Sequence, residues 1–393
     1  MVLPRPSKEH AGVFYSLFYS GQFVLLGVQL PFFAGWLDLK GFSAPEIGLL
    51  TGAALIARLA LGPFVAYWAD RQDDERRALS LVSALFAIGA AGLALAPSKL
   101  LIAISGFVVL WTFGLLVPLT DTAVLHANRN GWLHYGRTRA AGSFAFLITT
   151  IAGGALLSAL GVAAAAPAMA AAAGFAFVMS FFLPEAAGGR GGAKPVSWRE
   201  APRLLREPVF VLVLISAGLT QGAHAVYYAF SYLRWAAIGY SDFAIGALWA
   251  TGVAAEIILL VFARQLIRRA PAAMLLALGA GGAALRWALT AAEPPLAALF
   301  LVQLLHALTF AAAYLGSVEF IDKAVPSRLT NTAMTLMSTT GVGAITGAAT
   351  TLAGFVWADF GPQAAYLIMS AMGAMGMFAA FLVLKRWRGD LLF

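Results

Sequence analysis

Three arginines, Arg58, Arg139 and Arg286, sit inside apolar stretches of a 393-residue chain that is 61% hydrophobic and only 11% charged. A cation held at membrane depth is costly unless it is paired or hydrated, so each requires an acid, a polar cavity or an anionic ligand. One acid is well placed. The tetrapeptide Asn128-Arg129-Asn130-Gly131 has turn chemistry, and Asp121 and Arg139 are each nine residues from position 130. In an antiparallel helical pair that puts both at one depth, roughly 13 Å from the turn at 1.5 Å per residue. Such a pair either locks a bundle or marks a solute pathway, and the second is the more usual role of intramembrane charge.

A second set could move protons. Glu256 follows Trp249-Ala250-Thr251-Gly252-Val253-Ala254-Ala255, so nothing in its own helix neutralises it. A carboxyl in such surroundings is a candidate proton carrier, with Arg286 on the next apolar stretch able to stabilise its charged form; a static Glu256–Arg286 pair is the alternative. His306 and His224 lie in separate stretches, and imidazole titrates near neutrality, with an unperturbed pKa of about 6.5. His224 is followed by Tyr227 and Tyr228, an aromatic wall or simply core. Arg58 has no acidic neighbour in sequence, and an anionic solute would supply the missing charge through the guanidinium fork. Tyr15, Tyr19, Gln22 and Gln29 fall close to one helical face, suited to a small aromatic or hydroxylated ligand or to a polar seam between helices.

The elements that carry these residues are membrane helices. Twelve apolar runs, each roughly 20 residues or longer and able to span hydrocarbon, lie between residues 12 and 384. Gly and Ala are frequent in them, as in packed transmembrane helices. The net charge of +8 is topological and not a nucleic-acid footprint. Of 26 basic residues, 20 fall in loops and tails on one side and only Lys40, Lys99 and Arg234 on the other. Basic loops face the cytoplasm, so both termini are expected there.

The stretch from Glu185 to Glu207 is Gly-rich, charged and clearly not membrane, with six runs before it and six after. It predicts an N-terminal six-helix half over 1–187, a cytoplasmic linker over 188–206 and a C-terminal half over 207–393. The loop Ala69 to Arg77 is echoed weakly by Ala263 to Arg269, as expected of repeated halves. Gly341, Gly343 and Gly347 suit close packing or a sliding surface.

Several motifs resemble one family. YGRTRAAGSFAF (Tyr135 to Phe146), GFSAPEIGLL with PFVAYWADR (Gly41 to Arg71), His224 with Tyr227 and Tyr228, Ala284-Leu285-Arg286-Trp287, and QLLHALTF (Gln303 to Phe310) span essentially the whole chain. Together they resemble the phenylpropionate-permease and lactose-permease branch of the major facilitator superfamily. The resemblance implies an all-helical bundle of two halves with the site where they meet. It places Asp121, Arg139 and Phe146 on substrate-binding positions, and Arg286 and His306 on positions of proton coupling. It also makes Asp70, Arg71, Arg76 and Arg77 an inner-side gate. Gln303 and Thr309 stand where that family has lysine and glutamate, which leaves Glu256 as carrier. Aspartate for glutamate and Phe146 for tryptophan turn the reading away from a lactose-like sugar.

The expectation is therefore a multi-pass transporter of a bacterial inner membrane, monomeric, moving a small organic solute together with protons by alternating access. An aromatic or related monocarboxylate comes first, with Arg58, Tyr19, Gln22, His224, Tyr228 and His306 also at the solute. A neutral sugar or nucleoside, or a proton-antiport drug exporter, comes next. No cofactor and no metal ligand set is expected; cysteine is absent, and no nucleotide-binding loop or nucleophile motif points to an enzyme.

Overall fold

A computed structural model of the chain describes residues 8–69, 75–184, 200–263, 265, 267 and 270–393. Among these residues all regular structure is helical. Eleven helices are long and apolar enough to cross a membrane. This follows from the chemistry: in hydrocarbon a backbone must satisfy its own N–H and C=O groups, and a helix does so within one segment.

By Cα packing the chain divides into two compact units, residues 1–191 with 231–247, and 192–230 with 248–393. The first contains α1 (Ala11–Leu39), α2 (Ala44–Ala69), α3 (Glu75–Leu95), α4 (Lys99–Arg129), α5 (Tyr135–Leu160) and α6 (Ala165–Ser180). Here α1 packs on α5 and α6, α3 on α4 and α6, and α2 on α4. Small residues set these approaches: a Cβ added at Gly21 of α1 would lie 2.9 Å from the Ala176 side chain of α6. The predicted turn after α4 forms with Gly131 at φ 72°, a backbone that favours glycine. Asn128 then accepts the Tyr135 amide at 2.9 Å, fixing where α5 begins.

The second unit holds the short α7 (Ala201–Leu205), α8 (Pro208–Gly222), the first part of α9 (Ala225–Ala237) and most of α10 (Asp242–Val261), then α11 (Ala272–Ala291), α12 (Leu296–Leu304), α13 (Ala313–Ala324), α14 (Thr330–Leu336) and α15 (Ala344–Arg386). Both α8 and α11 pack extensively on α15. Three departures from regular helix were not evident in the sequence. The seventh apolar run turns at Ala223–His224, between α8 and α9. Ala307–Ala312 and Met337–Gly343 are π-helical, a geometry that concentrates at functional sites. Gly341 packs within this unit: a Cβ on Gly218 of α8 would lie 2.2 Å from the Gly341 carbonyl oxygen. By contrast, the break inside α15 falls between the last two apolar runs of the sequence: α15 is two helices joined at Gly361, whose φ of 83° and ψ of 173° break the ladder beside Pro362.

Candidate functional site

In the first unit, Asp121 on α4 gathers donors from two helices. The Tyr19 hydroxyl of α1 donates to Asp121 Oδ1. Tyr135, at the start of α5, donates to the same oxygen at 3.4 Å. Arg139, one turn further along α5, places Nε 3.4 Å from it. The carboxylate and the guanidinium keep 30% and 29% side-chain exposure, so the pair is reachable. Aromatic faces support the cation: its Cζ lies 4.5 Å from the Phe23 ring centroid and 5.4 Å from that of Tyr19. Arg139 Nη1 is buried without a hydrogen-bond acceptor.

One turn above Tyr19, Gln22 is fully buried and donates through Nε2 to Thr120 at 3.1 Å, leaving its own Oε1 without a donor. Phe146 lies seven residues beyond Arg139 on the same face of α5 and is buried, its carbonyl beside Gly27 of α1. Arg58 extends from α2 across Gly114 of α4; a Cβ there would lie 2.5 Å from Arg58 Cδ. The arginine is exposed and makes no ion pair among the described residues.

The second unit holds a buried polar chain. Arg286 of α11 is fully buried between rings, its Cζ 4.7 Å from the Tyr227 centroid and 4.4 Å from that of Trp287. Its Nη2 donates to Gln303 Oε1 at 2.6 Å, and its Nη1 to Thr309 at 3.2 Å and to His306 Nδ1 at 2.8 Å. The opposite nitrogen, His306 Nε2, lies 3.4 Å from Glu256 Oε2. Because arginine can only donate, His306 Nδ1 accepts, and a neutral His306 carries its proton on Nε2, toward Glu256. His224 continues the chain. Its Nδ1 faces the Thr220 and Gln221 carbonyls at 3.1 and 3.2 Å, so it donates there and Nε2 accepts from Thr309 at 3.0 Å. Tyr228 stacks on His224 with centroids 5.4 Å apart. The expected Glu256–Arg286 link thus runs through His306. Gln303 and Thr309, read in the sequence only as departures from a family pattern, are direct partners of Arg286.

Arg76 and Arg77 lie in the first turn of α3, half-buried and exposed respectively, while Asp70 and Arg71 lie outside the described residues. Sequence reasoning passed over Phe23 and the site role of Tyr135. Both had a signal: Phe23 is one turn from Tyr19, and Tyr135 is one turn from Arg139, each on the face already singled out. Among the described residues no cluster of three or more His, Asp or Glu could hold a metal ion.

A family model described as the MFS_1 like family matches residues 13–368. The chain belongs to that family. Its place in the major facilitator superfamily agrees with its relatives. It is 31% identical to "Probable 3-phenylpropionic acid transporter" of Escherichia coli (strain K12), over 92% of this chain and 95% of the relative. It is 26% identical to "Maltose permease" of Geobacillus stearothermophilus, over 95% of each. Among solved structures it resembles the nucleoside transporter NupG, with TM-score 0.76 and 16% identity over 96% of this chain and 100% of that one. A D-xylose-proton symporter matches with TM-score 0.67 and 14% identity, over 96% of this chain and 97% of that one. Membership of this family, with its membrane-crossing helices, makes the chain a multi-pass transporter of small molecules and not an enzyme.

Proposed function

We propose that this family member carries an aromatic or related monocarboxylate inward together with protons, by alternating access, as a monomer in a bacterial inner membrane. The observation that carries the solute reading is the charge balance of the first unit. Two arginines, Arg58 and Arg139, stand at membrane depth against one nearby carboxylate, Asp121; Arg139 keeps a buried N–H without an acceptor, and Arg58 has no ion pair among the described residues. A singly charged anion balances that surplus, and guanidinium N–H groups are its natural donors. The relationship to a protein named for phenylpropionic acid supports the same class. In this reading Tyr19, Gln22, Phe146, His224, Tyr228 and His306 complete the solute site.

Protons would use Glu256 and His306, with Arg286 holding His306 in the tautomer that faces Glu256 and Asp121 as the corresponding carboxyl of the first unit. The topology in this reading has twelve spans, α15 counting as two across Gly361, with both termini cytoplasmic. The halves are 1–187 and 207–393, joined by 188–206, with Asp70, Arg71, Arg76 and Arg77 gating the inner side. A neutral sugar is the second reading, supported by the relative named for maltose.

Counterflow in proteoliposomes tests the assignment. Protein loaded with unlabelled phenylpropionate is expected to take up the labelled acid. Exchange of maltose with no exchange of any aromatic acid would replace the first reading by the second.

A further inference from the structure

Where α11 begins and α13 and α15 end, the second unit encloses a cavity of about 560 Å³. Sites that hold small molecules run from about 300 to 1,000 Å³. The walls of this one follow from the local sequence. On one side Pro271 leads into α11, and Ala272 and Ala273 are too short to fill the space beside them. On the other side α15 stops at Arg386, and Trp387 packs onto Phe320 of α13 with ring centroids 4.8 Å apart. Its Nε1 donates to the Asp390 carbonyl at 2.7 Å. Gly389, at φ 95°, lets the chain reverse, and the Leu392 amide then donates to the Ala324 carbonyl at the end of α13 at 3.0 Å.

Two cations, Lys323 and Arg388, line the cavity, and among the described residues no acid does. Lys323 pairs with Glu319 one turn back on α13 at 2.7 Å, but an ammonium has three N–H groups and keeps donors for a second anion. Arg388 is exposed and makes no ion pair among the described residues. The cavity also opens onto an apolar seam. Leu384 of α15 lines it, and Leu384, Phe381 and Met377 form one exposed stripe of that helix. Met274, Leu278 and Leu285 form the matching exposed stripe of α11. The two stripes run side by side, since a Cβ on Gly281 of α11 would lie 3.0 Å from Met377 Sδ. A cationic pocket at the ends of three membrane-crossing helices, continued by an apolar furrow along two of them, has the chemistry of a phospholipid seat.

We propose that this cavity binds the phosphodiester headgroup of an anionic phospholipid such as phosphatidylglycerol. Lys323 and Arg388 take the phosphate oxygens, and an acyl chain lies along the seam between α11 and α15. A bound lipid would tie α11, α13 and α15 together at one end of the second unit. The site is separate from the polar groups of Arg286 and Asp121 and does not depend on which solute is carried.

Melting of the detergent-purified protein tests the assignment. Added phosphatidylglycerol is expected to raise the melting temperature, and phosphatidylcholine at the same concentration should raise it less or not at all, because a ligand held by the folded state opposes unfolding. Arg388→Gln changes an exposed position with no ion pair to break. It should raise the phosphatidylglycerol concentration needed for half the effect by roughly tenfold, in line with a lost charge-assisted hydrogen bond. Lys323→Gln should do the same. Arg203→Gln, which removes an exposed cation of α7 outside the cavity, should leave that concentration unaltered. An equal response to the two lipids by the unaltered protein would overturn the inference, as would a full response to phosphatidylglycerol in both Arg388→Gln and Lys323→Gln. Inorganic phosphate reproducing the whole rise would make the cavity a site for a soluble anion and overturn the lipid assignment.

Discussion

Arg286 Nη1 donates to His306 Nδ1 at 2.8 Å, and this one contact sets the direction in which His306 can pass a proton. With Nδ1 occupied by the guanidinium, the remaining nitrogen points to Glu256 Oε2 at 3.4 Å. A buried arginine thereby orients the histidine that faces Glu256. The π-helix that begins at Ala307 immediately follows His306 and contains Thr309, the other acceptor of Nη1. The widened turn is thus part of how α12 and the π segment bring both groups to one guanidinium.

Removing the acceptor should be felt in stability. His306→Ala leaves Nη1 with Thr309 alone in a fully buried site, at a cost of about 1–3 kcal/mol. The expected readout is a lower melting temperature of the detergent-purified protein. His306→Asn returns a carbonyl acceptor and should recover part of that loss, yet restore no proton coupling. Identical melting of the alanine and asparagine variants would count against the tautomer assignment.

Arg139→Lys keeps the charge and removes the planar fork. The ammonium cannot reproduce both the Nε contact with Asp121 and the flat face that the guanidinium lays on Phe23. Half-saturating solute concentration in counterflow should rise by roughly tenfold or more, in line with a lost charge-assisted hydrogen bond. Unaltered affinity would make the Asp121–Arg139 pair a lock for α4 and α5 instead.

Gly218→Ala should weaken the second unit. The added methyl would sit 2.2 Å from the Gly341 carbonyl oxygen and 2.4 Å from Ile345 Cδ1. Backbone cannot yield as a side-chain tip can, so overpacking of about 1–3 kcal/mol is expected, read as a fall in melting temperature. By contrast Gly174→Ala, with no atom within 4 Å of the new methyl, should leave melting unchanged.

The apolar runs, the turn at Gly131 and the depth match of Asp121 with Arg139 could be read from the sequence because each depends on composition or on counting along a helix. What could not be read depends on how helices rotate against their neighbours. A helix that is apolar on every side gives no phase from hydropathy. Nothing in the sequence therefore said that His306, and not Arg286, would face Glu256, or that Gln303 and Thr309 would turn toward the guanidinium. The turn at His224 was hidden for a different reason: no Pro or Gly stands at 223 or 224, and it is the imidazole that caps the Thr220 and Gln221 carbonyls there. Arg58 was legible as a charge in need of an anion, but its seat against Gly114 required coordinates.

Proton movement is the central claim, and external pH in a lightly buffered suspension of proteoliposomes measures it directly. Adding phenylpropionate to the unaltered protein should make the medium more alkaline as solute and protons enter together. Glu256→Gln should abolish that signal while counterflow of labelled solute continues. Solute uptake by the unaltered protein without alkalinisation, or an undiminished signal from Glu256→Gln, would contradict the account.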